Sequence, residues 1–238
     1  MAQENGQPTG RALVVGLVMV ALVGSALGAV VVRSDLLTGR SPAAAAPARD
    51  CGAVPAAEPD PAPFTPGRAL ETVSGFVPRP QVPDLGDAFM SGHHEYATPE
   101  AHGRSTPLLL PSTVTEAMVA NGLRAAQAVG FEAGTTVFGL EAFRLASPEA
   151  AASYARTVLL AECEHGVAGS LRPLPGVAGG VMFAYHHDRR PPLRASFVVG
   201  DTAVRANLCI CRKIEGDPFE VLESWAREVA FLMRGTVG

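Results

Sequence analysis

The chain has few basic residues, few aromatic residues and few cysteines. Arginine and lysine together number 19 against 23 acidic residues, so the formal net charge is −4, and Lys213 is the only lysine. This balance provides no positive field for phosphate backbones, which excludes nucleic acid as an expected partner. The use of arginine in place of lysine, together with abundant alanine, is typical of a GC-rich coding genome.

The motifs of common enzyme classes are also missing. The sequence contains neither Gly-x-Ser-x-Gly nor a glycine-rich loop of the kind that holds phosphate groups. The paired acids Glu162 and Glu164 fall on different faces of a predicted helix, and we interpret them as solvated acids at a helix end. We therefore predict no enzymatic activity, no catalytic residue, no metal and no cofactor.

The most informative feature that is present is an apolar run over residues 12–32. It contains 21 residues without a charge or a proline. As a helix rising about 1.5 Å per residue, it is long enough for the ~30 Å hydrocarbon core of a membrane. We predict a single-pass transmembrane helix at 12–32 after a short cytoplasmic tail at 1–11. The alternative is a signal peptide cleaved near Ala26 or Gly28.

The orientation of this helix rests on two conflicting signals. Arg11 precedes it, whereas Arg33, Arg40 and Arg49 follow it, and this count alone would keep the C-terminal part in the cytoplasm. Four cysteines and a Pro/Ala-rich spacer favour a domain held away from the membrane in an oxidising space. We predict a cell-membrane protein whose C-terminal domain is extracytoplasmic.

The remainder of the chain divides into a linker and a domain. Residues 33–83 are rich in proline and alanine and poor in large apolar side chains, so we predict a disordered, extended linker. Residues 84–238 are predicted to form an α+β domain, with an antiparallel sheet of about four strands and helices packed on one face. Its predicted elements are a helix at 112–129, a strand at 135–145, a helix at 147–163 capped by Ser147, and a final helix capped by Asp217.

One hairpin has a register that follows from its turn. Gly200 and Asp201 form a predicted two-residue turn, which pairs Val199 with Thr202, Phe197 with Val204, Ala195 with Ala206 and Leu193 with Leu208. The apolar residues then share one face. The opposite, polar face receives Arg194, Ser196, Arg205, Asn207, Cys209 and Cys211.

For the preceding hairpin we predict a five-residue loop at 189–193. This loop would place Phe183 and Tyr185 on the apolar face and Asp188 opposite Arg194.

The four cysteines, Cys51, Cys163, Cys209 and Cys211, are disulfide candidates. Cys209 and Cys211 project from the same face of a strand two residues apart, where a direct bridge would be strained. We expect Cys163 to pair with one of them and Cys51 with the other. A redox-active pair of Cys209 and Cys211 is the alternative.

Two short clusters combine histidine with an acid. Because neighbouring side chains of a strand point to opposite faces, two adjacent histidines cannot both reach one ion. We interpret both clusters as solvated residues, and the alternative is a zinc site with one residue from each. The clusters are His93, His94 and Glu95, and His186, His187 and Asp188.

Three segments resemble a known group of domains: FRLASPEAAASYARTVLLAEC at 143–163, LPGVAGG, and VVGDTAVRANLC. They are similar to small extracytoplasmic α+β domains of GC-rich actinobacteria, which occur on membrane-anchored proteins, envelope lipoproteins and receptor kinases with sensor domains. The resemblance covers about residues 112–233 and implies an envelope location and non-enzymatic binding. The sequence departs from the lipoproteins because it lacks a lipid-attachment cysteine.

Three functions remain open at this point. The first is a membrane-tethered extracytoplasmic module that binds or senses an envelope protein or a small ligand without catalysis. The second is a carrier of a small ligand or lipid in a cavity between the sheet's apolar face and its helices. The third is an envelope enzyme that depends on thiols or a metal.

Overall fold

The computed structural model describes the C-terminal domain and part of the segment before it. The described residues are 59, 64–75, 78–82, 86–96, 98–99, 111–185, 192–210 and 216–235. The predicted transmembrane helix at 12–32 and the start of the predicted linker lie outside them. Within the described residues, no helix combines the length and the apolar character needed to cross a membrane.

The described residues form four helices and nine strands. The helices are α1 (Arg68–Gly75), α2 (Pro111–Ala120), α3 (Pro148–Glu164) and α4 (Pro218–Arg234). The strands are β1 (Gln81–Val82), β2 (Gly86–Asp87), β3 (Phe89–Tyr96), β4 (Ala125–Ala133), β5 (Thr136–Arg144), β6 (Arg172–Pro173), β7 (Val181–Ala184), β8 (Leu193–Val199) and β9 (Thr202–Ile210).

Seven strands form one antiparallel sheet in the order β3-β4-β5-β9-β8-β7-β6, and β1 and β2 form a separate two-stranded sheet. The predicted α+β class with an antiparallel sheet is confirmed. The main sheet is larger than the predicted four strands because β3, β4 and β6 add to its edges.

The hairpin of β8 and β9 has the predicted register. Val199 lies opposite Thr202, and Phe197 lies opposite Val204. Gly200 has a positive φ of 53°, as a two-residue turn requires. The predicted pairings further along the hairpin, Ala195 with Ala206 and Leu193 with Leu208, are present as well.

Helices cover both faces of the sheet, which corrects the prediction that they lie on one face. Helices α1 and α4 pack on one face, the α4 face, in a core cluster that includes Phe138, Leu140, Phe197, Val204, Leu208 and Trp225. Helices α2 and α3 pack on the opposite face, the α3 face, against Phe143, Val198 and Ala203. The polar residues of β8 and β9 suggested a solvated surface, but α3 packs over part of them, including Arg194 and Arg205.

The register of β7 also differs from the prediction. Phe183 lies opposite Arg194, and Ala184 lies opposite Leu193. The prediction paired Asp188 with Arg194, so β7 is shifted by five residues relative to the predicted register. Because the shift is an odd number of residues, every side chain of β7 lies on the face opposite to the predicted one. Phe183 and Tyr185 therefore pack with α3 residues and not on the α4 face. The predicted partner of Arg194, Asp188, lies outside the described residues.

The predicted helix at 112–129 is wrong in its second half. Helix α2 ends at Ala120, and Asn121 and Gly122 form a turn in which Gly122 has a φ of +63°. The chain then enters β4, where buried and half-buried residues alternate with the period of a strand. Alanine and valine in this segment fit either period, which is why the pattern favoured a longer helix.

The remaining predicted elements are confirmed. The strand predicted at 135–145 is β5. The Ser147 side chain accepts a hydrogen bond from the Ala150 N–H at 3.2 Å and caps α3. The Asp217 side chain accepts one from the Phe219 N–H at 2.9 Å and caps α4.

The C-terminal part of the predicted linker is folded, so the prediction of disorder as far as residue 83 is wrong there. Helix α1 lies inside that range and buries Ala69, Leu70 and Val73 in the cluster of the α4 face. These three side chains have the spacing of one helical face. The folded domain therefore includes residues 64–75.

A buried carboxylate ties this entry segment to the β8–β9 turn. Asp201 is 4% exposed, and its two carboxylate oxygens each accept a hydrogen bond from the Gly67 N–H at 3.2 Å. Arg144 Nε donates to the same carboxylate at 3.0 Å. A Cβ on Gly67 would lie 3.0 Å from the Arg144 guanidinium, so this close approach requires glycine.

The single tryptophan holds the same segment further along. Trp225 Nε1 donates a hydrogen bond to the Pro78 carbonyl at 3.0 Å. Its ring contacts Phe131 and Phe138 edge to face, with centroid distances of 6.1 and 5.2 Å. Residues 64–82 are thus an integral layer of the domain.

The Asp201→Ala variant tests the carboxylate contact. It leaves the Gly67 N–H and the Arg144 guanidinium without their acceptor, so we expect the free energy of unfolding to fall by about 3 kcal/mol. Urea denaturation measures this loss. Asp217→Ala is the control, because it removes an exposed helix cap worth about 1 kcal/mol and a weak, exposed ion pair with Arg172. Equal losses in the two variants would contradict the contact's importance.

Two fragments test the domain boundary. A fragment of residues 60–238 keeps α1 and the Pro78 carbonyl, whereas a fragment of residues 84–238 loses both and exposes part of the core. We expect cooperative thermal unfolding, followed by circular dichroism, for the longer fragment and a much lower midpoint or aggregation for the shorter one. Matching midpoints would place α1 outside the folded unit.

Candidate functional site

The largest collection of charged side chains inside the described domain lies between the sheet and α3. It consists of Glu141 on β5, Arg194 on β8, Arg205 on β9 and Glu162 on α3, beside the rings of Tyr154 and Tyr185; we call this set the buried charge cluster. Glu141, Glu162 and Arg205 are each less than a tenth exposed. The cluster is closed to any substrate of appreciable size.

Arg194 links the sheet to α3. Its Nη1 donates to Glu162 Oε1, its Nε donates to Asn207 Oδ1 at 2.7 Å, and its guanidinium lies 4.8 Å from the centre of the Tyr185 ring. The interpretation of Glu162 as a solvated acid is therefore wrong. Glu164, the other member of that pair, is exposed as expected.

Arg205 is more deeply buried than Arg194, and its contacts are longer. Its Nη1 lies 3.9 Å from Glu141 Oε2, and its guanidinium lies 5.3 and 5.6 Å from the ring centres of Phe143 and Tyr154. Burial alone lowers the pKa of Arg205, but the acidic groups around it outweigh this effect and the net pKa is raised. The guanidinium is therefore always charged.

The two tyrosines of the cluster stay protonated. Burial raises the pKa of Tyr154 to about 12, against an opposing effect of Arg205. Burial raises the pKa of Tyr185 as well. Neither hydroxyl is therefore suited to act as a base near neutral pH.

The alkaline stability of the protein tests this burial. The pKa of Tyr154 is near 10 in an unfolded chain and about 12 in the folded protein. Its contribution to the free energy of unfolding is therefore fully present below pH ~10 and is lost as the pH rises toward ~12. We expect the free energy of unfolding to fall by about 2 to 3 kcal/mol more in the wild type than in Tyr154→Phe over that window. Urea denaturation at stepped alkaline pH measures the difference. Parallel curves would contradict a buried Tyr154.

A second part of the α3 face is not covered by any of the described helices. Helix α3 lies over β8 and β9, while α2 packs near Ala126 and Phe143. Towards β3, this face presents small or half-buried side chains, which we call the open face. Its residues are Ala128, Gly130 and Glu132 on β4, Val137 and Gly139 on β5, and Asn207 on β9.

Three glycines lie side by side across the floor of the open face. Gly92 pairs with Gly130, Gly130 with Gly139, and Gly139 with Asn207. A Cβ on Gly139 would meet only Asn207, at 3.9 Å, which is an ordinary contact. Sheet packing thus does not require glycine at 139, whereas a Cβ on Gly130 would lie 2.9 Å from the Ser91 hydroxyl oxygen, which covers that position. No pattern along the sequence brings these glycines together.

The described surface also has a groove beside α4, with a volume of about 720 Å³. Glu223, Arg227 and Phe231 line it together with the β6–β7 connection at Gly176 and Val177. Arg227 is paired with Glu223 at 3.4 Å. Three glutamates and two arginines line the groove, which leaves it with a formal charge of −1.

The predicted disulfide residues are only partly described. Cys163 is buried near the end of α3 and is disulfide-bonded, with its partner outside the described residues. Cys209 is half-buried on the α3 side of β9, so both lie on the same side of the sheet. Cys51 and Cys211 lie outside the described residues. The pairing of the four cysteines stays a prediction.

The predicted histidine clusters lie mostly outside the described residues. His93 and Glu95 are exposed on β3, and Glu95 accepts a hydrogen bond from Gln127 at 3.4 Å. The side chains of His94, His186, His187 and Asp188 lie outside the described residues. Among the residues that are described, no group of three potential ligands could hold a metal ion.

The sequence matches no protein-family model and no curated protein. Its fold is similar to the extracellular domain of PknH from Mycobacterium tuberculosis, with a TM-score of 0.38 and 12% identity, over 71% of this chain and 92% of that one. It is also similar to an uncharacterised protein from Mycobacterium smegmatis, with a TM-score of 0.37 and 10% identity, over 72% of this chain and 98% of that one. This likeness concerns the fold alone.

Proposed function

We propose that the chain is a membrane-tethered extracytoplasmic binding module without catalytic activity, and that it binds its partner on the open face. The apolar run at 12–32 supplies the tether, and residues 33–63 separate it from the folded entry segment. The partner is an envelope protein or a small ligand. The observation that carries the proposal is the half-exposed row of glycines across β3, β4 and β5, in which packing does not require glycine at 139.

The buried charge cluster supports a non-catalytic module. Its arginines and glutamates pair with one another under α3 and are engaged in holding the helix to the sheet. Catalytic groups must instead reach a substrate. The densest set of titratable side chains in the described domain thus makes contacts within its interior.

The carrier alternative requires a cavity on the α4 face. Phe197, Val204, Leu208 and Trp225, which would line it, are each at most 3% exposed and belong to one core cluster with α1 and α4. Protein side chains therefore fill the space that a carried ligand would need, and we do not favour this function.

The variant Gly139→Leu tests the open face. Because a Cβ at this position meets only Asn207, at an ordinary contact distance, and leucine favours a strand more than glycine does, we expect unchanged or slightly higher stability, by up to about 1 kcal/mol. The side chain would block the floor of the face, so we expect partner binding to be lost. Gly75→Leu is the matched control, because a Cβ there meets nothing within 4 Å and lies away from the open face.

Binding is measured by photo-crosslinking in intact cells. A photoreactive residue in place of Val137 should form a specific adduct on the open face, and Gly139→Leu should abolish that adduct while Gly75→Leu leaves it. The same residue in place of Val119, which is 61% exposed on α2, reports non-specific contacts. Equal adducts at both positions, or an adduct unaffected by Gly139→Leu, would overturn the proposed site.

Sidedness is tested independently by protease treatment of intact cells. Cleavage in the segment before residue 64 should release the C-terminal domain, whereas a protected domain would place it in the cytoplasm.

A further inference from the structure

Three polar atoms of the buried charge cluster have no hydrogen-bond partner among the described residues. They are Tyr154 Oη, Tyr185 Oη and Arg205 Nη2. Their residues are 1%, 7% and 4% exposed, so bulk water does not satisfy them. Buried polar groups in native proteins are almost always hydrogen-bonded to protein or to ordered water. Three such atoms in one cluster therefore point to a bound molecule.

The ion pair of Arg205 has the spacing of a bridged contact. Its Nη1 lies 3.9 Å from Glu141 Oε2, which is too long for a direct hydrogen bond. Charged groups separated by more than about 3.5 Å are often joined through a water molecule. By contrast, Arg194 contacts Glu162 and Asn207 directly. The bridging molecule thus lies between Arg205 and Glu141 and not beside Arg194.

Charge decides the class of the bound molecule. Two arginines and two glutamates give the cluster a formal charge of zero. A bound anion would leave an uncompensated negative charge in a buried site, and a bound cation would lie against two guanidinium groups. The tyrosine hydroxyls can donate or accept, and Arg205 can only donate. A neutral molecule that both accepts and donates hydrogen bonds fits these polar groups. Because α3 covers the cluster closely, only a molecule as small as water has room there.

We propose that the buried charge cluster binds at least one ordered water molecule beneath α3. The water accepts a hydrogen bond from Arg205 Nη2, donates one to Glu141, and exchanges a further hydrogen bond with the hydroxyls of Tyr154 and Tyr185. It thereby completes the contact between β5, β9 and α3. This inference is independent of the partner that the open face binds.

The test uses the full chain in detergent micelles and the variants Tyr154→Phe, Tyr185→Phe and their combination. Loss of a hydrogen bond to a buried water should raise the unfolding equilibrium constant about 5-fold in each single variant. Because both hydroxyls share one network, the combined effect should be smaller than the product of the single effects. Unchanged or increased stability in the single variants would mean dry, unpartnered hydroxyls and would overturn the proposal.

Two further measurements separate a water from other occupants. Val229→Ala changes a buried side chain of α4 on the opposite face of the sheet, so its effect should multiply independently with that of Tyr154→Phe. Coupling of the same size in that pair would remove the evidence for a shared network. Stability should also be the same in chloride, acetate and fluoride at equal ionic strength. A specific dependence on one anion would replace the water with an anion site and overturn the proposal.

Discussion

The two-residue turn at Gly200 and Asp201 constrains most of what surrounds it. With this turn, consecutive residues of β9 alternate between layers, so Val204 enters the core of the α4 face and Arg205 lies under α3. A shift of one residue would exchange the two and bury a guanidinium beside Trp225, at a cost of several kcal/mol. The carboxylate that holds the entry segment also belongs to this turn. Register, layer assignment and closure of the domain therefore depend on one hairpin.

The same hairpin shows when a strand register can be read from sequence. A two-residue turn leaves a single antiparallel register, and alternating polarity in both strands agrees with it. The β7–β8 connection lacks both conditions. Its length is not set by a recognisable turn, and Val181, Met182 and Phe183 are all apolar and all buried, because helices cover both faces of the sheet. A continuous apolar run fits either register equally well.

The layers and the candidate sites depend on contacts between distant segments. Polar residues on alternate strand positions indicate a polar face of the sheet. This pattern does not show whether solvent covers that face or a helix that contributes an acidic side chain. Glu162 is that acid, 32 residues away from Arg194 in the chain. The glycines of the open face show the same limit. Gly92, Gly130 and Gly139 each look like an isolated turn or bulge signal until two strand registers align them.

Why a small domain buries four charges is a question of specificity. Apolar side chains of similar volume would often stabilise such a site equally well or better, because desolvation of the charges offsets most of their attraction. Helices α3 and α4 are both 17 residues long, and each buries an apolar stripe against the same sheet. The stripe of α4 is apolar throughout, whereas that of α3 contains Glu162. If the helices exchanged faces, Glu162 would enter an apolar core and Arg194 would lose its acceptor. The buried charge cluster thus assigns each helix to its own face.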